Sequence, residues 1–239
     1  MPYIYIPKGK ALEYGELALN LYNGCSHKCR YCYAPSACQK KLEEFHNPRP
    51  RVIDYRLLQR EIDKLSGHSV FMCFTCDPYQ HLETELNITR NMIQRLHDAG
   101  IKAVILTKAG SRSAKDFDLL SLRPELSQYG ATLTFLKDKD SLEWEPGAAL
   151  PADRIATLKK AHDLGISTWA SLEPVIDPVQ SLEIIRQTHE FIDLFKVGRW
   201  NHDKRADLID WKGFGTKAVD LLETFKKPYY IKADLKKYL

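Results

Sequence analysis

The residues best suited to chemistry stand in one short run, Gly24-Cys25-Ser26-His27-Lys28-Cys29-Arg30-Tyr31-Cys32-Tyr33, where three cysteines occupy eight positions. The C-x3-C-x2-C spacing lets a short loop bring three thiolates to separate corners of one soft metal centre, as an iron–sulfur cube requires. Three thiolates on a four-iron cube leave one iron open to a small molecule carrying an amine and a carboxylate. Tetrahedral zinc is the competing reading, with Cys38 or His27 as fourth ligand, although no second knuckle of paired ligands follows. Six cysteines in 239 residues are too few for a disulfide scaffold.

The elements that must position this loop alternate between short β-branched apolar runs and longer amphipathic segments, the pattern of strand–helix repeats feeding a parallel sheet. Strands are predicted at residues 17–21, leading straight into the cysteine loop, and at 70–75, 102–107, 129–135, 167–172 and 194–197. Helices are predicted at about 83–99, 115–127, 152–164 and 180–191, with Asp153 and Gln180-Ser181 near their N-terminal caps. Gly100 and Gly165 sit where two helices must stop before a strand. Six such units without linkers predict an α/β fold, a partial (β/α)6 TIM-like barrel with the cysteine loop after the first strand. The whole of residues 1–239 reads as a single domain, with the barrel over about 16–200 and a C-terminal extension over 201–239.

In such barrels the reactive groups lie at the C-terminal strand ends. After the second strand come Thr75-Cys76-Asp77-Pro78, where Asp77 and nearby backbone can accept from an ammonium. Lys108 after the third strand can pair with a carboxylate, Thr134 in the fourth can donate to the same group, and Glu173 after the fifth is an acceptor suited to ribose hydroxyls. Arg154 opens the fourth helix. Together they offer acceptors for an amine, donors for a carboxylate and an acceptor for a sugar.

Composition bounds the partners. With 44% hydrophobic and 28% charged residues the chain reads as an ordinary globular protein. Its apolar runs are strand-length, and Met1–Lys10 lacks a secretory apolar region, so a cytoplasmic protein without membrane contact is expected. The net charge of +4 permits nucleic acid without requiring it. Basic residues gather around the cysteine loop and at Lys226–Lys237. Trp200-Asn201-His202 and the segment 226–230 combine aromatic and basic side chains, as a base-stacking surface or as a flap closing the barrel. His81 and His202 fall near strand ends, where solvent exposure is the simpler account of them.

The cysteine run with Tyr31 before the last cysteine resembles the signature of the radical SAM superfamily. Residues 20–34, Thr75-Cys76-Asp77-Pro78-Tyr79-Gln80, Leu106-Thr107-Lys108 and Trp144-Glu145-Pro146-Gly147 further resemble its spore photoproduct lyase-like branch, over roughly residues 10–200. The resemblance implies a [4Fe-4S] cluster on Cys25, Cys29 and Cys32, with S-adenosylmethionine (SAM) as the second cofactor. It implies Tyr31 against the adenine, Thr75 and Asp77 at the methionyl amine, Lys108 and Thr134 at its carboxylate, Glu173 at the ribose, and Arg154 as a further cofactor-binding residue. Reductive cleavage of SAM to a 5′-deoxyadenosyl radical would then abstract hydrogen from a large substrate, a nucleic-acid base among them, with flavodoxin or ferredoxin as reducing partner. Lyases of this branch carry a hydrogen-donating cysteine where Phe74 stands here. Cys73, one position earlier, becomes the candidate donor, although strand alternation would turn it to the opposite face from Phe74. Cys38, Cys73 and Cys76 could also serve an auxiliary cluster. A zinc-stabilised nucleic-acid-binding module without catalysis, and a radical enzyme acting on a peptide or small metabolite, are the alternatives.

Overall fold

The computed structural model describes residues 2–239. Its eight-stranded sheet runs in the order β1 (Ile4–Tyr5), β2 (Leu17–Leu19), β5 (Ser69–Met72), β6 (Lys102–Thr107), β7 (Ser127–Thr132), β8 (Ser167–Leu172), β9 (Leu194–Val197) and β10 (Tyr229–Ile231). A separate ribbon pairs β3 (Tyr22–Asn23) with β4 (Arg49–Pro50). From β2 to β9 the six neighbours are parallel, as the repeat pattern predicts. The edges were not foreseen: β1 adds antiparallel to β2, and β10 adds parallel to β9. The extension therefore contributes a strand to the barrel sheet.

Strand alternation divides the core in two. Val70 and Met72, Ala103 and Ile105, and Ala170 and Leu172 face the helices, within the large core cluster. Ala18, Phe71, Val104 and Trp169 point the other way and fill the barrel interior, joined by Tyr14 from a 3-10 turn at Gly9–Glu13. Trp169 fits because residue 130 is glycine: a Cβ there would lie 2.3 Å from the indole. The indole N–H donates to Ile105 O at 3.0 Å.

Several boundaries differ from the sequence reading for local reasons. The helix predicted at 83–99 is interrupted at Asn87, which is left-handed (φ 53°), and resumes as Ile88–Asp98. The one predicted at 115–127 is a 3-10 segment (Gly110–Asp116) and a short helix (Phe117–Leu122) halted before Pro124, which disfavours helical geometry in the residue preceding it. Asp177, not Gln180-Ser181, caps the Pro178–Thr188 helix, accepting from Val179 N and Gln180 N. Asp153 is not a cap, since the Pro151–Asp163 helix begins before it; its carboxylate accepts from Ser111 N. Among the described residues no helix is long and apolar enough to cross a membrane.

Candidate active site at the barrel mouth

The chain leaves β2 into the cysteine loop, which is held in shape by Trp144-Glu145-Pro146-Gly147. Arg30 N donates to Trp144 O (2.8 Å) and Gly147 N to His27 O (2.9 Å). The Tyr31 hydroxyl donates to Glu145, and its ring stacks on Trp144 at 6.4 Å. Gly147 must be glycine, since a Cβ would stand 2.3 Å from Ser26 O and 2.8 Å from His27 Cα. On the other flank Cys25 N donates to Phe45 O at 2.8 Å. Inside the loop, buried His27 sets its Nδ1 3.4 Å from Asp77 and its Nε2 3.1 Å from Arg112. Burial, with Arg112 and Lys108 adding to it, draws the imidazole pKa down to about 4 against the pull of Asp77. The ring is neutral at pH 7, its Nε2 accepting from Arg112, which leaves the proton on the Nδ1 that faces Asp77.

A cavity of about 390 Å³, within the range of small-ligand sites, opens above the strand ends. Cys25, Cys29 and Cys32 line it together with Tyr31, Thr75, Asp77, Lys108 and Glu173. All six cysteines are free thiols. Burial, then the charge of Asp77, pushes the Cys25 thiol up to about 12; burial likewise raises Cys29 and Cys32. Such thiols ionise when a metal supplies the compensating charge. Among the described residues no three metal-binding side chains converge on a single ion.

Lys108 faces the cavity with its ammonium 5.5 Å from the Tyr31 ring centroid. Burial works against its charge, but Cys29 and Glu145 outweigh that and hold its pKa above the ordinary lysine value. Asp77 is spoken for: Oδ1 accepts from Tyr79 N (2.8 Å) and Thr107 Oγ1 (2.7 Å), and Oδ2 accepts from Lys108 N (2.7 Å) with His27 Nδ1 3.4 Å away. It ties the ends of β5 and β6 to the cysteine loop. Thr134 and Arg154 do not line the cavity. Thr134 Oγ1 donates to Glu145 (3.2 Å), while Arg154 donates to Glu145 (2.5 Å), Ala149 O (2.8 Å) and Thr132 O (3.0 Å). Both hold the carboxylate behind Tyr31.

Cys73 packs within the large core cluster while Phe74 packs against the interior one, opposite faces as strand alternation predicts. β5 ends at Met72 and Cys73 is left-handed (φ 71°), so Cys73, Phe74, Thr75 and Cys76 all reach the cavity lining. The neighbouring Cys73 thiol, then burial, raises the Cys76 thiol well above its ordinary pKa. Cys38 lies outside the lining, and His81 is exposed and outside it as well.

Three contributors escaped sequence reasoning. Glu145 stood in the Trp144-Glu145-Pro146-Gly147 run with no role assigned to it. Tyr14 donates to Glu173 Oε2 at 2.7 Å, and the buried Lys232 ammonium donates to the same oxygen while lying 3.6 Å from the Tyr14 ring centroid. No local signal marks those two, because they meet Glu173 from opposite ends of the chain. Trp200, Asn201 and His202 also line the cavity, as a flap would.

The chain shares this architecture with known proteins. A variant of spore photoproduct lyase superposes with a TM-score of 0.71 at 13% identity, over 96% of this chain and 79% of that one. Streptococcus suis SuiB bound to S-adenosylmethionine does so with a TM-score of 0.67 at 16% identity, over 90% and 50%. Sequence relatives include an uncharacterized protein of Acidianus two-tailed virus, 28% identical over 195 residues, and one of Methanocaldococcus jannaschii, 27% identical over 182 residues. These matches take in 77% and 75% of this chain, and 64% and 68% of the relatives, so the chain spans less than two thirds of the viral protein. The family model of the Radical SAM superfamily matches residues 19–192, a span that contains the three cavity-facing cysteines, Lys108 and Glu173. By that match the chain belongs to the Radical SAM superfamily.

Proposed function

We propose that this protein binds a [4Fe-4S] cluster through Cys25, Cys29 and Cys32 and uses SAM to abstract hydrogen from a large substrate, a nucleic-acid base. Membership of the superfamily implies an enzyme, SAM and an iron–sulfur cluster. The observation that carries the finer reading is the convergence on one cavity of three free thiols, an ammonium at Lys108 and a carboxylate at Glu173. When bound, the cofactor pair supplies reductive cleavage of the sulfonium and hydrogen-atom abstraction.

The chain's own residues then bind and orient. Lys108 presents its ammonium to the methionyl carboxylate, and Thr75 its hydroxyl to the amine. The ring of Tyr31, immobilised through Glu145, faces the adenine. Glu173 has one oxygen engaged by Tyr14 and Lys232, while among the described residues the other accepts only from Asn201 Nδ2 at 3.4 Å. That second oxygen is the acceptor for ribose hydroxyls. Cys73 is the cavity thiol offered as hydrogen donor. A base as substrate is supported by the resemblance to the spore photoproduct lyase-like branch and by Lys8, Trp200 and His202 at the cavity. One solved spore photoproduct lyase is complexed with a dinucleoside, while SuiB has been solved with a precursor peptide.

Anoxic reconstitution with iron and sulfide tests the assignment. The expected result is a brown protein with about four irons per chain, lost in Cys29→Ser, that releases 5′-deoxyadenosine when reduced with SAM. Colourless protein with stoichiometric zinc overturns it. Coupled turnover with peptides but with no nucleic acid offered would keep the radical chemistry and remove the base.

A further inference from the structure

One of the chain's two basic clusters stands beside the cysteine loop. Residues 24–51 hold six cations, Lys28, Arg30, Lys40, Lys41, Arg49 and Arg51, against Glu43 and Glu44. That is a surplus of four; the other cluster, Lys226, Lys227, Lys232, Lys236 and Lys237 against Asp234, lies at the C-terminal extension and not at the loop.

The fold gathers these cations into one cover. β3 before the loop pairs with β4 at Arg49–Pro50, Arg51 N donates to Leu21 O (2.9 Å), and Cys25 N is bound to Phe45 O. Lys28 is close enough to His46 to add to the burial that lowers the imidazole pKa, and Arg51 acts on the Cys38 thiol. Arg30 pairs with Glu143 (3.0 Å) and Lys40 with Glu44 (2.6 Å). Lys28, Lys41 and Arg49 are exposed and Arg51 half-buried, and among the described residues these four stand outside the ion pairs. Two apolar side chains project from the same stretch, Leu42 at 62% and Val52 at 94% exposure. None of the six cations lines the cavity; its cations Lys8, Lys10, Lys108, Arg199 and Lys232 come from other segments.

We infer that the face formed by Lys28, Lys41, Arg49 and Arg51 docks an acidic one-electron-donor protein over the cysteine loop. The inference rests on the radical reading above, because that reading requires an electron delivered to this loop. One electron passes from the reduced donor to the iron–sulfur group, and no bond forms or breaks at the docking face. Electron-transfer encounters are small and are guided by charge more than by buried area, which suits a ring of unpaired cations around a few exposed apolar side chains. Nucleic acid is also an anion, but a base must enter the cavity, whose cations are a different set.

The test compares the reconstituted protein with a Lys41→Glu, Arg49→Glu, Arg51→Glu variant, using reduced flavodoxin as probe. Titration calorimetry of the wild type should give binding that weakens as salt rises. In the variant, affinity and the rate of cluster reduction by flavodoxin should both fall by on the order of tenfold or more. Iron content and reduction by dithionite should be unchanged. Flavodoxin binding and reduction at wild-type levels in the variant would overturn the docking face, as would loss of nucleic-acid affinity with flavodoxin reduction intact. A wild type that takes up no iron, or that fails to cleave SAM even with dithionite, would instead bring down the radical reading, and the docking face with it.

Discussion

Glu145 concentrates more of the site's geometry than any residue singled out for contact with a cofactor. Oε1 accepts from Tyr31 and Thr134, and Oε2 from Arg154, all in a buried setting. Burial would raise its pKa, but Arg154 and Lys108 reverse that and keep it below the ordinary carboxylate value. Glu145→Ala leaves the Arg154 guanidinium buried without its anion, which is expected to cost about 3–5 kcal/mol. Denaturant unfolding of the metal-free protein measures it, and Glu145→Gln, whose single amide oxygen can still accept from Arg154 while its NH2 turns towards the Tyr31 hydroxyl, should lose less. An unchanged unfolding midpoint in the alanine variant would refute the anchoring role. Glu173 acts differently, because it touches no cysteine-loop residue. Glu173→Ala is expected to weaken SAM binding by on the order of tenfold in equilibrium dialysis, the scale of one hydrogen bond to a charged group. Iron content should stay at the wild-type level.

The cysteine loop is shaped mostly by the segment that follows β7. Two backbone hydrogen bonds, the Tyr31 hydroxyl and the close approach at Gly147 make residues 144–147 a template for residues 26–31. Gly147→Ala forces the backbone at Ser26 and His27 to move, an overpacking cost of about 1–3 kcal/mol. Because the displaced backbone carries Cys25 and Cys29, iron retained after desalting should fall more sharply than the thermal midpoint. Full retention of iron would show that the template does not set the loop. This dependence also explains what was legible beforehand. The six parallel strands and the position of the cysteine loop follow from local periodicity and spacing, which a sequence displays directly. The break of the helix before Pro124 was readable from the proline itself. The turn of Cys73 out of β5 was not, because a left-handed cysteine has no sequence marker. The joining of Glu145, Thr134 and Arg154 to Tyr31 is a contact between segments more than a hundred residues apart for Tyr31, with buried partners that no periodicity reveals.

Across the whole molecule, the first and last segments close the same side of the barrel. Tyr14 enters from the N-terminal 3-10 turn, Lys232 follows β10, and Lys196 rises from β9 between them. The Lys196 ammonium donates to Glu13 O at 2.8 Å and lies 5.4 and 5.2 Å from the ring centroids of Tyr14 and Trp169. Burial, then the like charge of Lys232, lowers its pKa to about 8, against the pull of Glu13. An unfolded lysine holds its proton to about pH 10.4. Between those two values the unfolded chain binds more protons at this position than the folded one, so the contribution of Lys196 to stability increases as pH rises from about 8 towards 10. Below pH 8 the side chain is charged in both states, and its desolvation is a fixed cost to the fold. Lys196→Met removes the titrating group while keeping most of the apolar stem that packs on Trp169. The free-energy difference between wild type and Lys196→Met, from urea unfolding at a series of pH values, should therefore be flat up to about pH 7 and then shift in favour of the wild type by pH 10. The other titrating groups, Lys232 and Glu13 included, are present in both proteins and largely cancel in the comparison. A difference that stays constant across that range would mean that Lys196 titrates as an ordinary solvated lysine, and that the closure over the barrel is looser than its contacts with Tyr14 and Trp169 describe.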